Sequence, residues 1–109
     1  MGNKLKNAFH VKVSKADDNA TIHLSGNFNF LSHPKFKESY LQLLNDSIVN
    51  SVAVDFARVE HMDSAALGML LVLRDRVGGV GKTLTLVRPS SMAQKIFNIA
   101  NFQRMFIIQ

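Results

Sequence analysis

The sequence predicts an α/β fold built on one mixed, mostly parallel sheet. Two observations lead to this prediction. Apolar and polar residues alternate in short β-rich segments, whereas apolar residues recur with helical spacing in the longer segments between them. After an opening pair of strands, the two kinds of segment follow each other in turn, which is typical of parallel strands joined by helices. The expected order is β-β-α-β-α-β-α-β.

The first half of the chain predicts two strands and a helix. Residues 8–13 and 20–26 both alternate, and the turn-forming run 17–19 between them predicts a hairpin. Ser32 is placed to cap the next helix, with Pro34 in its first turn. Apolar residues then recur with helical spacing at Phe36, Tyr40, Leu43, Leu44 and Ile48. This pattern predicts an amphipathic helix that includes Ile48.

The second half of the chain predicts two strand–helix units and a last strand. Residues 52–57 are β-rich and nearly continuous in apolar character, as expected of a strand covered on both faces. The helix predicted over residues 64–77 is apolar almost all round in its first half, so it should be deeply packed, and the glycines of residues 78–81 end it. The remaining predicted elements are a strand at 83–87, a helix from 89–91 onward and a strand at 106–108.

Length and composition bound the class of protein. With 109 residues the chain can bury one hydrophobic core, so we expect a single domain over residues 1–109. The absence of cysteine removes disulfides and thiolate metal ligands, and it fits a reducing compartment. No signal-peptide pattern is visible at the start, and the longest apolar-rich stretch, residues 65–73, is far shorter than the roughly 20 residues that span a membrane. We therefore expect a cytoplasmic protein with no membrane span.

The chain is basic, with a formal net charge of +5 and a pI near 9.9. Such a charge raises the question of nucleic-acid binding. The Lys and Arg residues are spread along the sequence and are not interleaved with aromatic residues that would stack on bases. We therefore expect a solvated surface and no nucleic-acid partner, although the charge could steer an acidic protein partner.

No residue pattern indicates a catalytic or metal site. The glycine-rich run of residues 78–83 lacks the spacing of a phosphate-binding P-loop, and it joins a helix to a strand where a P-loop joins a strand to a helix. The histidines at positions 10, 23, 33 and 61 show no metal-ligand spacing. Catalytic triads are defined by geometry, so a hydrolase stays open but unsupported. We expect no catalytic residue, no cofactor and no metal.

The most informative stretch is residues 52–70. A predicted buried strand leads through a short connection to Asp63 and Ser64, which begin the most apolar helix of the chain. Helix capping accounts for an Asp or a Ser at this point, because their side chains accept hydrogen bonds from free N–H groups of the first turn. Capping does not account for the stretch as a whole.

This stretch resembles the signature of the STAS domain in bacterial anti-sigma-factor antagonists: a strand ending in an aspartate, a short loop, Asp-Ser, a small pair, Leu-Gly and an apolar helix. The likeness covers about residues 8–108, and further segments that match the family lie at residues 24–26, 81–84 and 97–102. The resemblance implies a STAS domain with its core at about 8–108 and with helices packed mainly on one face of the sheet. The resemblance implies that Ser64 is phosphorylated by a GHKL-type serine kinase, often itself the anti-sigma factor, and dephosphorylated by a metal-dependent serine phosphatase. It also implies that the unmodified form binds the kinase or another regulator and so releases what that regulator held.

Two departures from the family pattern bear on partner choice. The small pair is Ala65-Ala66, where the family usually has Ser or Thr followed by Gly, so a second local phosphoacceptor is missing. Asn29 stands where the family usually has an acidic residue in the loop after the second strand. Phosphorylation of Ser64 should survive both changes, but the local charge is less negative.

The expected site centres on Ser64 as phosphoacceptor and on Asp63, which either holds the hydroxyl or caps the helix. Asn29 should lie near Ser64, because the connections after parallel strands gather at one edge of the sheet. Methionine and aromatic side chains favour adaptable interfaces. The residues expected to shape the site or contact the partner are Phe28, Met62, Ala65 and Met69; for Met69, a plain core position is an equal alternative.

Two other functions stay open at this level. One is a STAS subunit that is not phosphorylated and has a structural role in a membrane transport complex. The other is the nucleic-acid-binding protein suggested by the pI. The final output is also open: the regulator could control a sigma factor, a cyclic-dinucleotide enzyme or a secretion component, and the run of residues 67–75 resembles antagonists of biofilm and secretion circuits.

Overall fold

The computed structural model describes residues 8–109, which form five strands, three α-helices and two short 3₁₀ turns. The strands are β1 (His10–Ala16), β2 (Asn19–Phe28), β3 (Ser51–Met62), β4 (Thr83–Val87) and β5 (Ile107–Ile108). The helices are α1 (His33–Leu44), α2 (Ser64–Gly79) and α3 (Ser91–Ile99), and the 3₁₀ turns are Phe30–Ser32 and Phe102–Arg104. This order confirms the predicted sequence of elements. The prediction of no signal peptide concerns the first six residues of the chain, which lie outside the described residues.

All five strands form one sheet, in which spatial order follows chain order. β1 pairs with β2 antiparallel, so the two strands form the predicted hairpin. β2 with β3, β3 with β4, and β4 with β5 pair parallel. The prediction of a mixed, mostly parallel sheet is therefore confirmed, and the carboxyl ends of β2 and β3 lie at the same edge.

The helices cover one face of the sheet, which we call the covered face. Its core is rich in aromatic rings: the Phe28 ring of β2 lies 5.0 Å from that of Phe36 in α1, and the Phe56 ring of β3 lies 5.2 Å from that of Phe97 in α3. Leu70 of α2 belongs to the same buried cluster. The opposite face, which we call the open face, carries polar side chains of β1 and β2, such as those of His10, Lys12, His23 and Ser25.

The first helix is shorter than the sequence predicts. α1 ends at Leu44, and Ile48 lies outside it with 69% of its surface exposed. The Asp46 carboxylate accepts a hydrogen bond of 3.0 Å from the Ile48 backbone N–H, which forms a turn after the helix. Val49 enters the core in place of Ile48. The prediction that Ile48 belongs to the helical face is therefore wrong.

β3 is longer than the predicted strand, because β2 continues to pair with it as far as Phe28 and Met62. The pairing register shifts between His23 and Ser25 of β2, where β3 contains an extra residue. Beyond this bulge Val59 points to the covered face, and Arg58 is exposed. The expectation that this strand is covered on both faces is wrong here, since the helices pack on one face only.

Candidate functional site

The start of α2 is held by Asp63. Its backbone is extended, and its Oδ1 accepts a hydrogen bond of 2.9 Å from the N–H of Ala66, as in a standard N-cap. Its Oδ2 accepts a second bond of 3.2 Å from the N–H of Phe30. One carboxylate therefore begins the helix and fastens the loop that follows β2. Of the two roles expected for Asp63, the structure shows the capping role.

Ser64 is the first residue of α2, and its side chain is exposed. Among residues 8–109, the side-chain hydrogen bonds at the start of α2 are made by Asp63 and not by Ser64. The free N–H groups of the first turn and the helix dipole favour negative charge at this position. An anionic group on Ser64 would therefore be compatible with the helix.

The loop after β2 is an internally braced turn. The Asn29 side chain accepts a bond of 2.9 Å from the N–H of Leu31, and its own N–H donates at 3.0 Å to the hydroxyl of Ser32. Ser32 stands at the N-cap position of α1 but does not cap it, because its hydroxyl donates to the carbonyl of Asn27. The bond from Phe30 to Asp63 brings this loop beside the start of α2.

An apolar groove of about 460 Å³ opens next to Ser64, between α1, α2 and the 3₁₀ turn before α1. Ala65, which follows Ser64, forms part of its wall, and Met69 forms part of its floor. The other lining residues are Phe30, His33, Phe36, Tyr40, Gly68 and Val72. We refer to these eight residues as the apolar groove.

The predicted contact residues divide between the core and this groove. Phe28 is fully buried on the covered face, so the prediction that it contacts a partner is wrong; the alternation of β2 turns its ring inward against Phe36. Met69 is 8% exposed and is both a core residue and a groove residue. Met62, at the end of β3, is partly buried against the core.

Comparison with known proteins agrees with this architecture. The family model described as "Mlab, STAS domain" matches residues 11–109. The chain belongs to the STAS-domain family. A STAS-domain containing protein of Pseudomonas aeruginosa (strain UCBPP-PA14) is 36% identical over 88 residues, which are 81% of this chain and 85% of the relative.

Solved structures share the fold of this STAS domain. An anti-sigma factor antagonist from Mycobacterium paratuberculosis superimposes with a TM-score of 0.82 at 16% identity, covering 94% of this chain and 86% of the other. The anti-sigma factor antagonist SpoIIAA of Bacillus matches in its unphosphorylated form with a TM-score of 0.75, covering 94% of this chain and 88% of SpoIIAA. The phosphorylated form of SpoIIAA matches with a TM-score of 0.69, covering 94% of this chain and 91% of SpoIIAA. Both forms are 19% identical to this chain.

Sequence reasoning missed the two most exposed apolar residues near Ser64. Phe30 and Leu31 are 72% and 81% exposed, and Phe30 lines the apolar groove of the STAS domain. The signal that could have identified them is an apolar pair placed directly after Asn29, in a connection where polar residues are usual.

A second polar cluster of the STAS domain surrounds Asp55 on the open face. The Asp55 carboxylate accepts hydrogen bonds from Arg88 through both oxygens, from Nδ1 of His23 at 2.8 Å and from the N–H of Ala57 at 2.9 Å. Burial alone would raise the pKa of Asp55, but the bonds from Arg88, Ala57 and His23 outweigh burial and hold this pKa below its usual range. Arg88 reaches the carboxylate from a left-handed backbone conformation, with φ +55°.

Ser14 extends this cluster, since its hydroxyl lies 2.9 Å from Nε2 of His23. Ser14, His23 and Asp55 therefore follow one another in the order of a Ser-His-Asp triad, which spacing in the sequence could not reveal. Asp55 orients His23 as a triad carboxylate would, but both of its oxygens also accept hydrogen bonds from Arg88, which a catalytic triad does not require. We interpret the cluster as a network that orders His23 and Arg88 on the open face.

Among residues 8–109, no helix is both long and apolar enough to cross a membrane. The same part of the chain contains no group of three or more His, Cys, Asp or Glu residues arranged to hold a metal ion.

Proposed function

We propose that this STAS domain is an anti-sigma-factor antagonist that acts as a cytoplasmic, non-enzymatic partner switch. Its unphosphorylated form binds a GHKL-type serine kinase that serves as anti-sigma factor, or a related regulator. Phosphorylation of Ser64 releases that partner, and a metal-dependent serine phosphatase restores binding. The observation that carries the proposal is the exposed Ser64 hydroxyl at a helix N-terminus, directly beside an exposed apolar groove.

The charge of a phosphate explains how such a switch would work. A phosphoserine carries about −1.5 to −2 charges at neutral pH, and a helix N-terminus tolerates that charge. A docked partner would not, because the phosphate would have to lose water at the interface and would lie next to the Asp63 carboxylate. Each 1.4 kcal/mol or so of lost binding free energy weakens affinity about tenfold. The modification therefore acts on the interface and leaves the fold in place.

The apolar surface around Ser64 supplies the other half of the proposal. Phe30, Leu31 and Val72 are all exposed, at 72%, 81% and 47%. Exposed apolar residues that cluster in one region mark interaction sites, and aromatic residues are enriched at interface centres. Bacillus SpoIIAA, which shares this fold, is known in both a phosphorylated and an unphosphorylated form. These observations together support a docking surface that includes Ser64.

The test uses the purified chain with candidate GHKL-type kinases encoded in the same genome. Incubation with ATP and Mg²⁺ is expected to add one phosphate, which mass spectrometry of peptides should place on Ser64. Ser64→Ala should accept none and should keep binding the kinase or regulator. Ser64→Asp should bind it at least about tenfold more weakly, as measured by calorimetry.

Ser91→Asp is the matched control, because Ser91 is also exposed and is also the first residue of a helix. It adds the same charge at the same helical position away from the groove and should leave binding unchanged. The proposal is overturned if Ser64→Asp binds as tightly as the wild-type chain, or if the phosphate is placed on another residue.

The exposed apolar lining of the groove also suits a second candidate, a STAS subunit with a permanent structural role in a membrane transport complex. A permanent interface needs apolar area and no switch. In that case the chain should copurify with a membrane complex through the groove. Ser64→Ala should then leave the complex and its transport unchanged, and no kinase should modify Ser64.

A further inference from the structure

A large cavity lies on the open face of the sheet, away from the helices and the apolar groove. It has a volume of about 670 Å³, within the range of small-molecule sites. Side chains of β1, β2 and β3 line it, together with Arg88 after β4. The lining residues that matter here are His10, Lys12, Ser25, Asp55, Arg58 and Arg88.

The lining of this cavity is strongly basic. Lys12, Arg58 and Arg88 carry permanent positive charges, and Asp55 is the one carboxylate among the lining residues. Asp55 is already bonded to Arg88, so its charge is largely neutralised. In the part of the chain that the structure describes, Lys12 and Arg58 have no carboxylate within 4.0 Å. Among the described residues, two cations therefore face the cavity without an ion pair to a carboxylate.

The sheet register spaces these cations across three strands. His10 pairs with Ser25, and Ser25 pairs with Arg58, so the three residues form a row across β1, β2 and β3. Adjacent strands lie about 4.8 Å apart, which separates the backbones of His10 and Arg58 by roughly 10 Å. Lys12 lies two residues along β1 from His10, or about 7 Å. The backbones of these donors are therefore spread over roughly 10 Å, a span that suits a chain of phosphates better than a single phosphate.

The bulge in β3 is what brings Arg58 to this face. Side chains alternate between the faces of a strand, so a regular strand with Asp55 on the open face would turn Arg58 inward. The extra residue at the register shift reverses this alternation. The N–H of Ala57 bonds to the Asp55 carboxylate at 2.9 Å and holds the bulge. The network around Asp55 therefore helps to build the basic lining.

We propose that this open-face cavity binds a small anionic ligand that carries two or more linked phosphate groups. Arg58 offers the planar donor fork that matches phosphate oxygens, Lys12 offers a compact charge, and the Ser25 hydroxyl and the His10 ring offer further donors. Among the described residues, no Phe or Tyr lines the cavity, so the large aromatic rings on which single-stranded nucleic acids most often stack are missing from its lining. The site is separate from Ser64 and does not rest on the partner switch.

The experiment titrates inorganic tripolyphosphate into the ¹⁵N-labelled full chain and follows amide chemical shifts by NMR, with calorimetry for affinity. We expect saturable binding with one site, and shifts concentrated at residues 10–14, 23–25 and 55–58. Arg58→Gln and Lys12→Gln should each weaken binding at least about fivefold. Lys95→Gln, an exposed change on α3 at the covered side, should leave it unchanged. Circular dichroism checks that each variant is folded.

Three results would overturn the proposal. The first is binding that does not saturate at millimolar tripolyphosphate. The second is a Lys95→Gln variant that loses as much affinity as Arg58→Gln and Lys12→Gln, which would mean general attraction to a basic surface. The third is tighter binding of a single-stranded RNA oligonucleotide at the same residues, which would make the face a nucleic-acid surface. Ser64→Ala should bind tripolyphosphate like the wild-type chain, so failure here and failure of the partner switch are distinguishable.

Discussion

The carboxylate of Asp63 accepts a hydrogen bond of 3.2 Å from the backbone N–H of Phe30, across 33 positions of sequence. The same carboxylate caps α2 through the N–H of Ala66. Because Phe30 lines the apolar groove and Ser64 begins α2, this side chain sets the position of the groove's rim relative to the proposed phosphoacceptor. Asp63 is thus a positioning residue for the whole site.

Asp63→Ala removes both hydrogen bonds of the carboxylate. The loss of an N-cap alone lowers the free energy of unfolding by about 1 kcal/mol, and the lost bond to Phe30 should bring the total to about 1–2 kcal/mol. Urea denaturation measures this loss of unfolding free energy. Asp63→Asn keeps an acceptor for Ala66 and should lose less than half as much; an alanine variant as stable as wild type would contradict the capping role.

Phe36 and Phe30 line the same groove but differ in burial, at 1% and 72% exposed. Phe36→Ala should leave a cavity in the core and lower the free energy of unfolding by about 3–5 kcal/mol. Phe30→Ala should change it by less than about 0.5 kcal/mol and still weaken binding of the regulator. Thermal or urea unfolding measures the two changes in stability. Calorimetry with the regulator measures the loss of binding expected for Phe30→Ala. Equal loss of stability in both variants would show that Phe30 is a core residue.

Asp55 should contribute to the pH dependence of stability. Its pKa is lowered in the folded protein, so folding favours the ionised carboxylate. This contribution is fully present above the unfolded pKa, about 3.9, and is lost as the pH falls through the lower folded value. Asp55→Asn should therefore lower the free energy of unfolding by about 1–3 kcal/mol at neutral pH. The difference from wild type should shrink towards pH 3.

Urea denaturation between pH 3 and pH 7 measures this difference. Asp75→Asn is the control, because Asp75 is 80% exposed and its nearest cation, Arg74, lies 3.8 Å away on the surface. That variant should follow the wild-type curve closely. A constant gap between Asp55→Asn and wild type at all pH values would mean that the ionised state of Asp55 does not stabilise the fold.

Replacing Gly26 or Gly68 by alanine should change the stability of the fold in opposite directions. Gly26 has φ +82° inside β2, and alanine in this region is strained by about 1–2 kcal/mol, so Gly26→Ala should be destabilising. Gly68 lies within α2, and an added Cβ would meet no atom within 4 Å. Gly68→Ala should stabilise the fold by up to about 1 kcal/mol through helix propensity. Thermal unfolding of the two variants side by side tests both signs.

The order of the elements could be read from the sequence because it depends on local patterns. Alternation along residues 20–26 and helical spacing from Phe36 to Leu43 each reflect one buried face of one element. The capping residue Asp63 was also visible, since capping requires a short polar side chain directly before an apolar helix. Ile48 shows the limit of this reasoning: its spacing is helical, but a local Asx turn at Asp46 ends the helix first.

The sites depended on contacts between distant parts of the chain. Phe28 and Phe30 are both aromatic and lie two positions apart, yet one is buried and the other exposed, because the strand ends between them. Arg58 reaches the open face only through a bulge whose position depends on how β2 pairs with β3. Sequence alone thus determined the elements, their order and the helix start at Asp63-Ser64. Tertiary structure decided which side chains share a surface, because strand pairing and register bring together residues that no local pattern relates.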